Sequence, residues 1–415
     1  MSLRRRSLCV WAGAGPAWAQ SVQPAEPLRV QWMFSSGSQR DLWVRIARRY
    51  EDLGRPLESR EREQTAYKAE FDALLRQQPA AADGAFWFGG QRLREFVDQD
   101  LLEPLDDLAK GWESQFHPAM LDAVRVQGRI WALPLATYQW GFYYRRSVFE
   151  RLRLQPPATW EAWLQLNEQL RAAGLAPIVM GSREGWPLGA WFDYFNLRLH
   201  GKAFHAELLS GRASWLDARV RAVFERWRQL LQRGDFLPGS FERDWRQALP
   251  YVTRGHAGMV LMGNFVSLAF PAAVRPDLGF FPFPTLDARV PLIEDAPLDV
   301  LVIPRAARQK AAAREFLRYL ARPELQAELN QAMGLIPPHR GAAVGNDPLA
   351  QAGARLLARA AGSMQFFDRD APAAFSTPAL EWLARFEREP ANLEPVLRGL
   401  EALRTQVWPA DNPRR

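Results

Sequence analysis

The chain of 415 residues has one cysteine, Cys9, and this scarcity excludes a disulfide scaffold and any cysteine-ligated metal. The core must hold the fold without covalent staples. No segment after the N-terminal stretch reaches the roughly eighteen uninterrupted apolar residues of a membrane helix, so a spanning role is not expected. The five histidines, His117, His200, His205, His256 and His339, show no i, i+4 pairing and no acids at metal-ligand spacing. Neither a Gly-x-Ser-x-Gly elbow nor a phosphate-cradling Gly-x-x-x-x-Gly-Lys loop occurs, so the expectation is a protein with no cofactor, no metal and no catalytic residues. Repeats of short period, low-complexity tracts and Gly/Ser tethers are also missing. Basic stripes interleaved with stacking rings do not appear either. Arginines such as Arg45, Arg48 and Arg49 sit on polar helix faces among acids, which argues against nucleic-acid binding.

The first nineteen residues, MSLRRRSLCVWAGAGPAWA, have a basic opening, a short apolar stretch and Ala17-Trp18-Ala19 before Gln20. That order of features predicts an export signal cut near Ala19, with Cys9 leaving alongside it. Arg5-Arg6 permits a twin-arginine route. Leu8 stands where a lipoprotein site needs a small residue, so the expected mature protein is soluble and periplasmic rather than lipid-anchored. Its net charge falls from +7 to +4 when Arg4, Arg5 and Arg6 are removed.

Apolar residues make up 48% of the chain and charged residues 24%, a globular composition at a length that exceeds the usual single core. Leu28, Val30, Trp32 and Phe34 alternate like a strand, Ser35 to Ser38 turn the chain, and Leu42, Ile46, Tyr50 and Leu53 then mark a helix face. The same order of strand, small-residue turn and helix returns at GAFWFGGQRLREFV, APIVMGSREGWPLGAWFDYF and AGMVLMGNFVSLAF. This is α/β construction. Ligands in such folds collect beyond the carboxyl ends of strands, so the four turns are candidate site walls: Phe34 with Ser36 and Gln39, Trp87 with Gln91, Trp186, and Asn264. Trp32 and Trp87 lie on strands and fit a core role equally well. Elsewhere Thr159 is a plausible N-cap, Pro323 divides two consecutive helices, and Leu393, Val396, Leu397, Leu400 and Leu403 share one helix face.

The stretch GRIWALPLATYQWGFYYRRSVFE, Gly128 to Glu150, is crowded with rings around Pro134. A sugar ring has an apolar C–H face and a rim of hydroxyls, and TYQWG offers both flat aromatic faces and hydrogen-bonding groups. Gln139 and Trp140 are the favoured ligand contacts there, with Tyr138 beside them. Trp131, Phe142 and Tyr144 are assigned to sheet packing.

Six segments in order resemble the bacterial extracellular solute-binding proteins, family 1, that feed carbohydrate ABC importers: VDQDLLEPLDDL, the Gly128 stretch running on to PPATWEAW, GHAGMVLMGNF, FFPFPTLD, LDVLVIPRAARQKAAAREFLRYLARPELQ and MGLIPPHRG. The resemblance implies a two-lobe periplasmic binding protein fold of type II-like α/β form, its lobes joined by crossing hinge segments. The implied boundaries place 20–135 and 278–322 in the N-terminal lobe and 136–277 and 323–415 in the C-terminal lobe. Crossings would lie near Leu135 to Tyr138, near Phe270 to Leu278, and after a helix ending near Ala321. The resemblance further implies a non-enzymatic monomer that captures a mono- or oligosaccharide by hinge closure and delivers it to permease subunits. It places Asp299 and Arg340 where the family supplies charged partners to hydroxyls. Met33, Phe34 and Gln39 stand where the family often has two tryptophans and a glutamate, and Asn264 where it commonly has aspartate. The other readings are a sugar-sensing subunit for a sensor kinase and a secreted glycoside hydrolase using two of the many carboxylates.

Overall fold

The structure is a computed structural model that describes residues 26–34 and 36–409. The export signal and Cys9 lie outside the described residues. Two main sheets carry the architecture. The first has the order Leu57–Glu63, Leu28–Phe34, Gly84–Phe88, Leu298–Val302, Leu133–Thr137. Its first three strands are parallel, and Leu298–Val302 runs antiparallel to both of its neighbours. The second has the order Leu278–Phe281, Trp140–Arg145, Ala257–Gly263, Ala176–Ile178, antiparallel except for its last pair. Ile293–Asp295 and Gly362–Met364 form a small parallel pair of their own.

Each sheet is covered by the helices that the apolar periodicity predicts. On the first, the helix Gly37–Glu51 buries Leu42, Trp43, Ile46, Ala47 and Tyr50. Trp43 stacks on Trp32 at 4.1 Å, and Phe316 of the helix Lys310–Leu320 meets both Trp32 and Tyr50. On the second, Phe142 packs against Trp163 and Trp191 from the helices Trp160–Ala172 and Pro187–Leu209. Thr159 caps its helix by accepting the Ala162 N–H at 3.3 Å. Leu53 departs from expectation: the helix stops at Glu51, and Leu53 is 56% exposed. The run after Ala257–Gly263 also departs, being a 3-10 turn, Asn264–Ala269, because Phe270 must be extended ahead of Pro271. The strand Leu57–Glu63 was not anticipated. Its sequence, LESRERE, hides the usual alternation because it lies at the sheet edge, where only Leu57 is buried and the other six side chains are exposed or half-buried.

The chain passes from the first sheet to the second between Thr137 and Trp140, which overlaps the expected Leu135 to Tyr138 and extends two residues beyond it. The later passages fall further along. Leu278–Phe281 pairs with Trp140–Arg145, so the return lies between Phe281 and Leu298 rather than before 278. The helix Pro323–Met333 stays with the first sheet, because the Gln326 and Asn330 amides donate to the carbonyls of Pro134 and Leu135. The last passage therefore follows Met333, not Ala321.

Candidate functional site

Between the two sheets lies a narrow cavity of about 70 Å³ whose walls differ in chemistry. From the second lobe come rings. Trp140 begins the first strand after the hinge, Trp186 precedes the helix Pro187–Leu209, Trp245 opens the helix Trp245–Thr253, and Phe265 follows the strand Ala257–Gly263. Trp245 is fixed by a capping box, in which Asp244 accepts the Gln247 N–H at 2.8 Å and the Gln247 side chain accepts the Asp244 N–H at 3.0 Å. The rings support one another: Trp140 stacks on Phe366 at 4.7 Å and meets Trp186 and Phe265 edge-on at 6.1 Å.

From the first lobe come polar groups. Gln39 stands in the first turn of its helix. Gln64 and Lys68 lie one turn apart on the helix Gln64–Arg76, whose N-terminus is capped by the Glu63 carboxylate accepting the Thr65 N–H at 2.7 Å. Asp299 comes from the central strand Leu298–Val302. Lys68 is an exposed residue at the rim, with its ammonium 5.1 Å from the centre of the Phe88 ring, and desolvation there lowers its pKa.

A short segment around Phe366 to Asp370 ties the two walls together. The Phe367 N–H donates to Asp193 of the second lobe at 2.7 Å, while Arg92 of the first donates to the Asp368 carbonyl at 2.7 Å. Arg369 then reaches across, donating to Asp299 at 3.2 Å and to the Tyr138 hydroxyl at 3.0 Å, with its guanidinium 4.1 Å from the Phe88 ring centre. Gly90 makes this approach possible: its φ is +74°, and a Cβ there would lie 2.8 Å from the Arg369 carbonyl oxygen. Burial raises the Asp299 pKa, and Arg369 opposes that rise. Burial likewise raises the pKa of the Tyr138 hydroxyl, which is thus held as a neutral donor.

Of the ten residues singled out from the sequence, Gln39, Trp140, Trp186 and Asp299 line this cavity. The other six do not. Phe34 is half-buried at its strand end, and Ser36 caps the first helix by accepting the Gln39 N–H at 3.3 Å. Trp87 is core, stacked on Phe71 at 3.7 Å with its indole N–H donated to the Arg92 carbonyl. Gln139 is fully buried beneath Gly353 and donates to the Leu349 carbonyl at 3.0 Å. Asn264 accepts from Tyr143 at 2.9 Å and donates to the Gly334 carbonyl, tying the second lobe to the hinge. Arg340 lines a different cleft. Sequence reasoning missed Gln64, Lys68, Trp245, Phe366, Asp368 and Arg369. The Asp244-x-x-Gln247 spacing was a legible sign of the turn carrying Trp245.

Among the described residues no His/Cys/Asp/Glu group could hold a metal ion, and no helix is long and apolar enough to cross a membrane. Two lobes joined by crossing segments, with rings facing polar groups across a cleft, define a solute receptor. Residues 64–327 match the bacterial extracellular solute-binding protein family, and the chain belongs to that family. An uncharacterized ABC transporter extracellular-binding protein of Pyrococcus horikoshii is 34% identical over 211 residues, 50% of this chain and 48% of that protein. A probable sugar-binding periplasmic protein of Mesorhizobium japonicum is 24% identical over 209 residues, 48% of this chain and 49% of that one. In these matches the chain spans about half the length of its relatives. Among solved structures, the bacterial solute receptor AcbH, which has an exclusive preference for β-D-galactopyranose, superposes with a TM-score of 0.87 at 25% identity, over 92% of this chain and 99% of AcbH.

Proposed function

We propose that this protein is a periplasmic carbohydrate receptor, exported with cleavage after Ala19, that captures a mono- or oligosaccharide between its lobes and delivers it to the permease of an ABC importer. One observation carries the reading: rings on one side of the cavity face amides and charges on the other. An aromatic wall suits the C–H face of a pyranose, and ionised partners bond hydroxyls more strongly than neutral ones. The galactopyranose preference of AcbH and the sugar-binding relative in Mesorhizobium support the same class of ligand.

Binding is a population shift. A ligand touching both walls favours the closed arrangement by no more than its differential affinity for the closed and open forms. Trp140, Trp186, Trp245 and Phe265 supply stacking, and Gln39, Gln64, Lys68, Asp299 and Arg369 supply hydrogen bonds. The receptor acts as a monomer and returns its ligand unchanged. Thermal shift across a carbohydrate panel tests this: the melting temperature should climb with the concentration of one sugar class, and that sugar should be recovered intact. Cleaved product would sink the reading, as would the absence of any sugar that stabilises the fold. The purified periplasmic protein should begin at Gln20.

A further inference from the structure

The hinge has a second side. Thr137 and Ile336 hydrogen-bond to each other in both directions, at 2.9 and 2.8 Å. Their chain neighbours Tyr138 and Leu335 line the cavity of rings and charges, whereas Thr137 and Ile336 line another. Successive side chains of extended backbone point to opposite faces, so this other cavity lies behind the hinge. Its volume is about 450 Å³, larger than the front cavity. His117 and Met120 wall it from the first lobe, and Leu357 and Ala358 wall it from the helix Pro348–Arg359, which packs beside the second sheet.

His117, Thr137, His339, Arg340 and Ser363 are the polar residues lining this apolar space. The Thr137 hydroxyl is buried, at 3% residue exposure, and has no hydrogen-bond partner among the described residues. The Arg340 guanidinium stands at the rim and makes no ion pair among the described residues. His339 accepts the Gly341 N–H on Nδ1 at 3.0 Å, so its neutral ring presents Nε2–H as a donor. His117 lines the same cleft, and Glu324, on the helix Pro323–Met333, is the acid that acts on His339. The polar groups lining the cleft thus mainly donate hydrogen bonds.

We infer that the cavity behind the hinge is a second ligand site, one that takes small amphiphilic carboxylates. The apolar body lies along Met120, Ile336, Leu357 and Ala358, and the carboxylate is held at the rim by Arg340 with help from the two histidines. Because both lobes wall the site in this arrangement, its occupant favours this arrangement over one with the lobes rotated apart. Occupancy of front and back is therefore coupled positively and reciprocally. The inference stands apart from the identity of the front ligand.

Octanoate is a suitable probe, with octanol as its uncharged control. Calorimetric titration of the full chain should give saturable one-to-one binding of octanoate, and octanol should bind at least about tenfold more weakly, as loss of a charged hydrogen bond requires. Arg340→Gln should cost octanoate a similar factor. Ala358→Trp fills the cleft from an exposed position and should abolish binding with the fold intact, while Leu53→Ala, at a surface position that lines neither cavity, should leave it unchanged. Octanoate should also lower the radius of gyration of the wild type in solution scattering but not that of Ala358→Trp. Absence of saturable heat at millimolar octanoate would overturn the inference, as would equal binding of octanol or undiminished binding to Arg340→Gln and Ala358→Trp.

Discussion

On one side of the interlobe cavity stand Trp140, Trp186, Trp245 and Phe265; on the other stand Gln39, Gln64, Lys68 and Asp299. The rings touch one another and Phe366, so that wall is packed whether or not a ligand is present. The first-lobe wall is less self-sufficient. Asp299 is neutralised by Arg369 from the bridging segment, and the Lys68 ammonium has no ion pair among the described residues. The difference teaches that mutations on the two walls report different quantities. Truncating a ring removes folding free energy together with any binding contact, whereas removing a rim cation acts on binding alone.

The largest effect should come from Trp140→Ala, because the indole is 2% exposed and stacked on Phe366. A loss of about 3–5 kcal/mol in denaturant unfolding is expected, so this variant cannot by itself distinguish a binding role from packing. Next is Arg369→Gln, which strands Asp299 in a pocket where both side chains are only 10–11% exposed. That should cost about 3 kcal/mol of stability and loosen the bridge between the walls; an unchanged unfolding midpoint would break the account of the bridging segment. Trp186→Ala separates the two quantities better, since this ring is only half-buried. Affinity for the stabilising sugar should fall by about 1.5–3 kcal/mol, with the melting temperature of the free protein nearly unchanged. Lys68→Met should weaken the same sugar by about 1.5 kcal/mol, the worth of a charged hydrogen bond, without lowering free stability, because this exposed lysine makes no ion pair among the described residues.

The smallest effect concerns pH and should reside in the second lobe. Asp193 and Asp295 are buried there, and both Asp295 carboxylate oxygens lack hydrogen-bond partners among the described residues. Burial raises both pKa values, and it pushes Asp370 up to about 7. Arg198 and Lys202 are the cations that act on this group, and His205, whose pKa is itself lowered to about 3 by burial, lies 3.4 Å from Asp193. Carboxyls whose pKa is higher in the folded than in the unfolded state bind extra protons on folding. Their stabilisation is full below the unfolded aspartate range and is lost as pH rises through about 7. Melting temperature should thus decline from about pH 4 to 7, and Asp295→Asn should flatten that slope; an unaltered slope would remove these carboxyls from the account.

Much of the α/β order was legible in the sequence, because Leu28 to Phe34, the helix after it and the paired helices around Pro323 follow simple periodicities. The site was legible only in part. Gln39 and Trp186 emerged because each follows a recognisable strand and turn, and Trp140 because it follows the hinge. Gln64 and Lys68 stayed hidden because the strand that delivers them, LESRERE, has only Leu57 buried and so lacks the apolar alternation that marks a strand. Arg369 could not be found from local pattern at all. Its partner Asp299 is seventy positions away, and only the tertiary fold brings Phe366 to Asp370 back across both lobes. Trp87, Gln139 and Asn264 carry residue types suited to a sugar site, but strand parity and the close approach of Gly353 and Gly334 turn them into the interior.

The strand Leu57–Glu63 has a further consequence for a protein that must remain dispersed at high concentration. Its outer backbone groups are unclaimed by any neighbouring strand, and an unclaimed row of amides and carbonyls invites another chain to add on. Alternating glutamates and arginines bring like charges opposite each other when two such rims meet in parallel, in-register alignment, which disfavours that mode of stacking. At the far rim of the same sheet, the Gln326 and Asn330 amides occupy the carbonyls of Pro134 and Leu135, so there a helix rather than charge covers the outer backbone.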